Sequence, residues 1–427
     1  MRQWKRQSDH GRRARLPSAH VSTLPSALAS TSHSAMGVNN SVGTALSFLS
    51  LLWIPATLLC CLPWVQKQML YLHNITFFPG KWSTEPERAG FLKNQVIPFR
   101  ITTKDKHKLF AWLIAPLGVY AKNADAFTNE KTGSDVEDTV AWNSLCKDPE
   151  ARLLIYFHGN SATLAQERRT IEYRSYSAGA SDKIFVLAFD YRGFGLSKGE
   201  PSESGLLDDA EAVVDWALNR CRIPPERIVL LGHSLGTAVA SGIAHRYVAD
   251  SGIEFAGLIL CAAFTNAGNA FSSYSIGGVV PVLAPVRAVP ALQKWFARRM
   301  ICTWRTDERL AAMARICLRF NLVFVHAESD STMPWHETEA LFQSTLRAAK
   351  ESSSHDDSFK GGGVVDLGEA GRREIWQSDS RRISKTIAKH GGTYPPPMFA
   401  SASDFGRRRL SSERVSPIVG TGCPTSV

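Results

Sequence analysis

From about residue 93 the chain alternates short apolar runs with helix-compatible stretches, and this alternation limits the folds open to it. RLLIYF (152–157), IFVLAF (184–189), IVLLG (228–232), GLILC (257–261) and LVFVH (322–326) are short and nearly continuous in their apolar character. Runs of that kind suit strands buried on both faces of a parallel sheet. Helical patterns lie between them, among them GLLDDAEAVVDWAL (205–218) and the segment after Ser234. The order predicts an α/β domain with a mostly parallel, doubly wound sheet. QVIPFRI (95–101) and KLFAWLIA (108–115) read as a strand pair at its start. Ligands of such sheets sit at the carboxyl ends of the strands.

Three stretches interrupt the pattern. Residues 118–150 are polar and read as an irregular surface insertion. Residues 266–311, rich in Val, Pro and Ala, read as a cap or lid, with a plain long connection as the alternative. Residues 351–380 form a polar, Ser- and Gly-rich insertion before a last strand, ISKTIAK (383–389). Residues 394–427 open on three prolines and read as a disordered tail.

Gly232-His233-Ser234-Leu235-Gly236 closes the run IVLLG and leads into TAVASGIAH (237–245). A G-x-S-x-G pattern between strand and helix places the Ser on a strained turn that lifts its hydroxyl above the sheet. Ser234 is therefore the candidate nucleophile, and the amide of Leu235 faces the developing oxyanion. A second donor is needed from the loop after an earlier strand. RLLIYF is followed by His158-Gly159-Asn160-Ser161, which makes the Asn160 amide the candidate. His158 reads as a hydrogen-bonder shaping this loop.

The acid and base follow the nucleophile in chain order on this kind of scaffold. Asp330 lies a few residues past the run LVFVH, with Glu328 as its competitor. Asp190 ends another strand but precedes Ser234, so it reads as structural. His390 is the histidine after Asp330 that stands at a strand end. A solvent-exposed loop residue is the competing reading of His390. A doubly buried sheet with such a Ser also serves as a non-catalytic scaffold or carries a serine peptidase.

HGNSAT (158–163), FDYRGFGLSKGEPSESG (189–205), GHSLGTAVA (232–240), AAFTN (262–266) and HAESDSTMPW (326–335) resemble the membrane-anchored α/β-hydrolase-domain serine lipases. The resemblance spans about residues 68–393. It implies an α/β-hydrolase domain over that stretch and hydrolysis of acyl esters of monoacylglycerols or lysophospholipids, with no metal or organic cofactor. Ser234, Asp330, Asn160 and Leu235 match that pattern. The family's base follows a glycine pair, whereas Gly391-Gly392 is followed here by Thr393. Three explanations stand: His390 substitutes, the chain is inactive, or a mis-spliced 3′ end changes the last residues, the one favoured.

Residues 45–65, ALSFLSLLWIPATLLCCLPWV, carry no charge. A helix of about 20 such residues crosses the hydrocarbon core, so the run reads as a transmembrane anchor. The 427-residue chain has a formal net charge of +10, and six basic residues against Asp9 fall within residues 1–35. That concentration places the tail 1–44 in the cytosol and the hydrolase domain in a lumen, the endoplasmic reticulum being favoured. A mitochondrial presequence and a myristoylation signal beginning at Met36 are the lesser readings. Asn74-Ile75-Thr76 is then a glycosylation sequon on the translocated side. The basic residues show no stripe with interleaved aromatics, which argues against nucleic acid as a partner and leaves the membrane and a lipid ester. Among eight cysteines no CxxC spacing occurs; a pair among Cys146, Cys221, Cys302 and Cys317 would form a disulfide in an oxidising lumen.

Overall fold

The computed structural model describes residues 53–391, apart from residues 56, 77–79, 178, 274, 277–279, 282, 284, 285, 287 and 353–360. The contacts divide the chain after Ile54 into two units. In the unit beginning at Pro55, the described residues build one ten-stranded sheet. The strands are β1 (Val96–Thr102), β2 (Lys108–Ile114), β3 (Arg152–Phe157), β4 (Ile184–Phe189), β5 (Ile228–His233), β6 (Gly257–Cys261), β7 (Phe320–Ala327), β8 (Gly361–Asp366), β9 (Arg372–Gln377) and β10 (Arg381–Ala388). They lie in the order β1-β2-β4-β3-β5-β6-β7-β10-β9-β8. The six central strands, from β4 to β10, are parallel, and an antiparallel pair extends the sheet at each end.

The unbroken apolar runs are explained by burial on both faces. In β3, Leu153, Ile155 and Phe157 enter one core, while Leu154 and Tyr156 enter the other. Successive side chains on a strand point to opposite faces, so both sets of positions are filled by apolar or aromatic side chains. Each fully buried Leu or Ile contributes about 1.5–3 kcal/mol. On the first face pack α6 (Glu203–Asp215), α7 (Leu235–Ser251), α10 (Thr306–Ile316) and α11 (His336–Ser352). The second face is covered by α5 (Glu167–Tyr176), through Tyr173 and Tyr176. Ser202 caps α6 by accepting the Gly205 amide at 3.0 Å.

The stretches read from sequence as interruptions hold more order than expected. Residues 118–150 carry α2 (Leu117–Lys122), α3 (Ala124–Asn129) and α4 (Val140–Lys147). Val119, Tyr120, Phe127, Ala141 and Leu145 are buried there, spaced among a polar majority that conceals them. The polar insertion 351–380 contains the hairpin of β8 and β9, whose outer strand GGGVVD is exposed and so lacks an apolar signature. Within 266–311, α8 (Ala267–Ser273) packs on α9 (Pro290–Ala297), with Phe271 and Phe296 rings 6.4 Å apart. From Thr306 the chain is already α10, which leads into β7.

The uncharged run 45–65 lies outside the described residues up to 52. Further on it turns at residues 60–62, and α1 (Pro63–Tyr71) begins at Pro63. Leu62 is extended (φ −70°, ψ 131°), as the residue before a proline prefers. Among the described residues no helix is long and apolar enough to cross a membrane. The tail 394–427 and the segment 1–44 lie outside the described residues.

Candidate active site

Ser234 stands between β5 and α7 as the cap of the helix, with φ 51° and ψ −117°, in a region of backbone space that non-glycine residues rarely enter. Two glycines allow this turn. A Cβ on Gly236 would overlap the Phe157 carbonyl oxygen, and one on Gly232 would overlap the Gly236 carbonyl. The turn is pinned by the Ser234 amide donating to the Cys261 carbonyl at 2.8 Å. Thr237 then donates its amide (2.9 Å) and its hydroxyl (2.7 Å) to the Ser234 carbonyl. Leu235 is the first residue of α7, so its amide is among those a helix leaves without an internal partner.

The second expected donor lies alongside. A Cβ on Gly159 would stand 3.3 Å from Ser234 Cβ and 3.1 Å from His233 Nδ1, so the loop after β3 lies directly on the Ser234 turn. Two groups hold the Gly159 carbonyl: His158 Nδ1 at 2.7 Å and the Arg169 guanidinium at 3.2 Å. The C=O and N–H of a trans peptide point in opposite directions. Fixing the Gly159 oxygen on that side therefore turns the Asn160 N–H the other way. Arg169 is fully buried on α5 and also donates to the carbonyls of Asn160 (3.2 Å), Ser161 (2.9 Å) and Thr163 (2.7 Å). Burial, followed by the nearby Arg169 charge, holds the pKa of His158 well below the usual histidine value. His158 is thus a neutral scaffold group, as its place after β3 suggested.

Asp330 follows β7 and is almost wholly buried. One carboxylate oxygen accepts the amides of Thr332 (2.8 Å) and Met333 (3.0 Å), and the other lies 3.3 Å from His326 Nε2. Burial pushes its pKa up, but His326 and the two amides outweigh burial and hold it below the ordinary carboxylate value. His326 also meets Thr338 Oγ1 (2.7 Å) and the Met333 carbonyl (3.0 Å). Glu328, the competing acid, pairs instead with exposed Arg372 at 2.6 Å. Asp190 sits behind the 158–163 loop, accepting the Leu164 amide at 2.7 Å. Its complete burial raises its pKa to about 7 against the lowering effects of that amide and Arg169.

His390 stands two residues beyond β10, whose Ala388 pairs with Ala327 of β7. It therefore emerges on the same edge of the sheet as Asp330. Its ring is exposed, and among the described residues no hydrogen bond joins it to Asp330 or Ser234. The fold thus brings Ser234, Leu235 and Asn160 together and sets Asp330 near them through Thr332 and Met333, while His390 faces solvent. Reading along the sequence missed Arg169 and His326. The one signal for His326 is a histidine ending an apolar strand; for Arg169 there is none, because its partners are main-chain oxygens.

Above Ser234 opens a cavity of ≈ 180 Å³. Asn160, Ser234 and Leu235 line it together with the apolar side chains of Met69, Leu70, Phe264, Phe271 and Met333. Met69 and Leu70 come from α1, so the segment following the uncharged run forms part of the pocket. Asn74 is exposed nearby and donates to Gln68 Oε1 at 3.1 Å.

A family profile described as "Alpha/beta hydrolase family" matches residues 154–381. The chain is 26% identical over 309 residues to lysophosphatidylserine lipase ABHD12 of Danio rerio, covering 72% of each protein. It is 32% identical over 193 residues to protein ABHD12B of Homo sapiens, covering 45% of this chain and 49% of that one. A solved alpha-beta hydrolase from Vibrio vulnificus aligns with a TM-score of 0.47 at 14% identity, over 75% of this chain and 84% of that one.

Proposed function

The chain belongs to the alpha/beta hydrolase family, and we propose that it cleaves carboxylic esters of lipids, monoacylglycerols or lysophospholipids, through an acyl-enzyme on Ser234. The observation that carries this reading is the strained Ser234 turn at the base of an apolar cavity, with the Asn160 loop against it. A relative that is a lysophosphatidylserine lipase points to the same substrate class.

In this reading Ser234 Oγ attacks the ester carbonyl as its proton passes to a histidine. The Leu235 and Asn160 amides hold the oxyanion, a donor of this type being worth about 3–4 kcal/mol. The histidine returns the proton to the leaving alcohol, and water then releases the fatty acid by the same steps. Asp330 orients the cationic histidine. His390 is the base, turning from solvent over the carboxyl edge of the sheet toward Asp330. The acyl chain lies among Met69, Leu70, Phe264 and Phe271. No metal enters the scheme. The run 45–65 attaches the protein to a membrane, supported by exposed Leu58, Leu59, Leu62 and Trp64 just before the pocket wall. The basic tail then faces the cytosol and the domain the lumen, where Asn74 is a glycan acceptor.

A second reading, a non-catalytic scaffold, draws on the exposed His390 and on Asp330 being engaged by His326. Turnover of a lysophospholipid by the purified full chain decides between them. Release of fatty acid that is lost in both Ser234→Ala and His390→Gln supports the enzyme. Release that survives Ser234→Ala rejects the assigned nucleophile, and absence of release from the intact chain favours the scaffold.

A further inference from the structure

Far from the pocket, Cys146 and Cys221 bring their sulfurs to 2.7 Å. Cys146 lies in the last turn of α4, and Cys221 follows the turn that ends at Arg220 after α6. Two unbonded sulfurs in ordinary contact stand well over 3 Å apart, and a disulfide bond is about 2.05 Å long. The pair is therefore closer than packing alone brings thiols, and a small side-chain movement completes a bond.

The surroundings hold both partners in place. Trp142 of α4 meets Trp216 edge to face with ring centroids 5.2 Å apart. Arg227, just after Cys221, donates to the carbonyls of Ala151 (2.6 Å) and Asp148 (2.7 Å), just after Cys146. Two other buried cysteines sit in different settings: Cys302 contacts Tyr71 Oη at 3.3 Å, and Cys60 contacts Met69 Sδ at 3.7 Å. We propose that Cys146 and Cys221 form a structural disulfide that fastens the 117–147 insertion to the end of the α6 segment.

The chemistry is thiol–disulfide exchange with a small-molecule disulfide of the glutathione class. The half-buried Cys146 thiolate attacks one sulfur of the oxidant, forming a mixed disulfide and expelling one thiolate. The Cys221 thiolate then attacks Cys146 Sγ, forming the intramolecular bond and expelling the second thiolate. Two protein thiols are oxidised, one external disulfide is reduced to two thiols, and the two cysteine protons end on those thiols. The first role falls to Cys146. The Cys221 thiol hydrogen bond and, less strongly, Arg227 lower its pKa against the opposing effect of burial.

The position says what the bond does. β3 begins at Arg152 and β5 at Ile228, and Leu153 pairs with Ile228. Both cysteines thus sit at the amino ends of these strands, while Ser234 stands at the carboxyl end of β5. The bond closes a ring spanning 75 sequence positions. That ring encloses β3, the Asn160 loop, α5, β4 and α6. Cross-linking so long a segment restricts the unfolded chain, so the bond supports stability and leaves the pocket geometry alone. Bonds of this kind persist in oxidising compartments. The inference stands whether or not Ser234 is catalytic.

The test uses the full chain purified in detergent, reduced, and then equilibrated with oxidised glutathione. After denaturation it is alkylated with iodoacetamide and digested without reductant for mass spectrometry. The expected result is one linked peptide pair, Cys146 with Cys221, that separates on reduction. Its companion is thermal unfolding. Reductant lowers the midpoint of the wild-type chain by several degrees and leaves the Cys146→Ser/Cys221→Ser variant unmoved. Recovery of both cysteines separately alkylated after the glutathione step overturns the proposal, as does a wild-type midpoint indifferent to reductant.

Discussion

At the scale of single residues, the candidate site is organised by groups buried beneath it. Arg169 gathers four main-chain oxygens of residues 159–163, and through Gly159 it sets the direction of the Asn160 amide. Arg169→Met removes that hold, so the rate of covalent labelling of Ser234 by a fluorophosphonate is expected to fall about 10²-fold, the size associated with a lost oxyanion donor. Arg169→Lys, which keeps the charge but not the fork, falls between. Labelling of Arg169→Met at the wild-type rate would remove the residue from this role.

Asp190 and Glu172 are buried carboxyls whose pKa values burial raises to about 7. In the folded chain they keep their protons up to that range, while in the unfolded chain they lose them near pH 4. The folded state thus binds more protons between pH 4 and 7, and stability from these groups is fully present below pH 4 and lost as pH rises to 7. Asp190→Asn, which can still accept the Leu164 amide, is expected to flatten that part of the pH dependence of the unfolding midpoint. An unchanged slope contradicts the assignment.

At the scale of elements, the geometry of the candidate site was legible wherever one segment carried its own signal. The strained turn at Ser234 follows from a strand, two glycines and a helix contiguous in sequence, and the placement of Asn160 beside it from a strand that ends three residues earlier. The position of Asp330 at the carboxyl edge follows from the strand end before it. His326 and Arg169 were not legible, since their roles arise from partners that folding alone brings near. The β8–β9 hairpin was missed because an exposed, Gly-rich edge strand has no buried face to pattern it. Helix α1 shows the same limit: nothing in the sequence around Met69 and Leu70 marks them as pocket residues, yet they line the cavity. Leu70→Trp is expected to fill part of the ≈ 180 Å³ cavity. Turnover of long-chain esters should then drop relative to an acetyl ester assayed alongside. Equal loss on both substrates would separate this wall from acyl-chain binding.

At the scale of the whole molecule, the proposed topology joins three features distant in sequence. These are the basic residues before 45, the uncharged run 45–65, and exposed Asn74 on the domain side. In sealed microsomes an added protease is expected to trim the N-terminal tail and spare the domain, and endoglycosidase treatment should shift the wild-type band but not that of Asn74→Gln. Digestion of the domain in intact vesicles would reverse the orientation. The turn at Ser234, the 158–161 loop and the Asp330 turn share the carboxyl edge of the parallel sheet, with His390 as the exposed residue there.

Reaction of the intact, detergent-purified chain with a fluorophosphonate probe examines that claim with least intervening inference. The expected result is stoichiometric labelling on Ser234, absent in Ser234→Ala and strongly slowed in His390→Gln. A properly folded full-length chain that takes up no label, or that is labelled equally in Ser234→Ala, would contradict the assignment of Ser234 as the nucleophile.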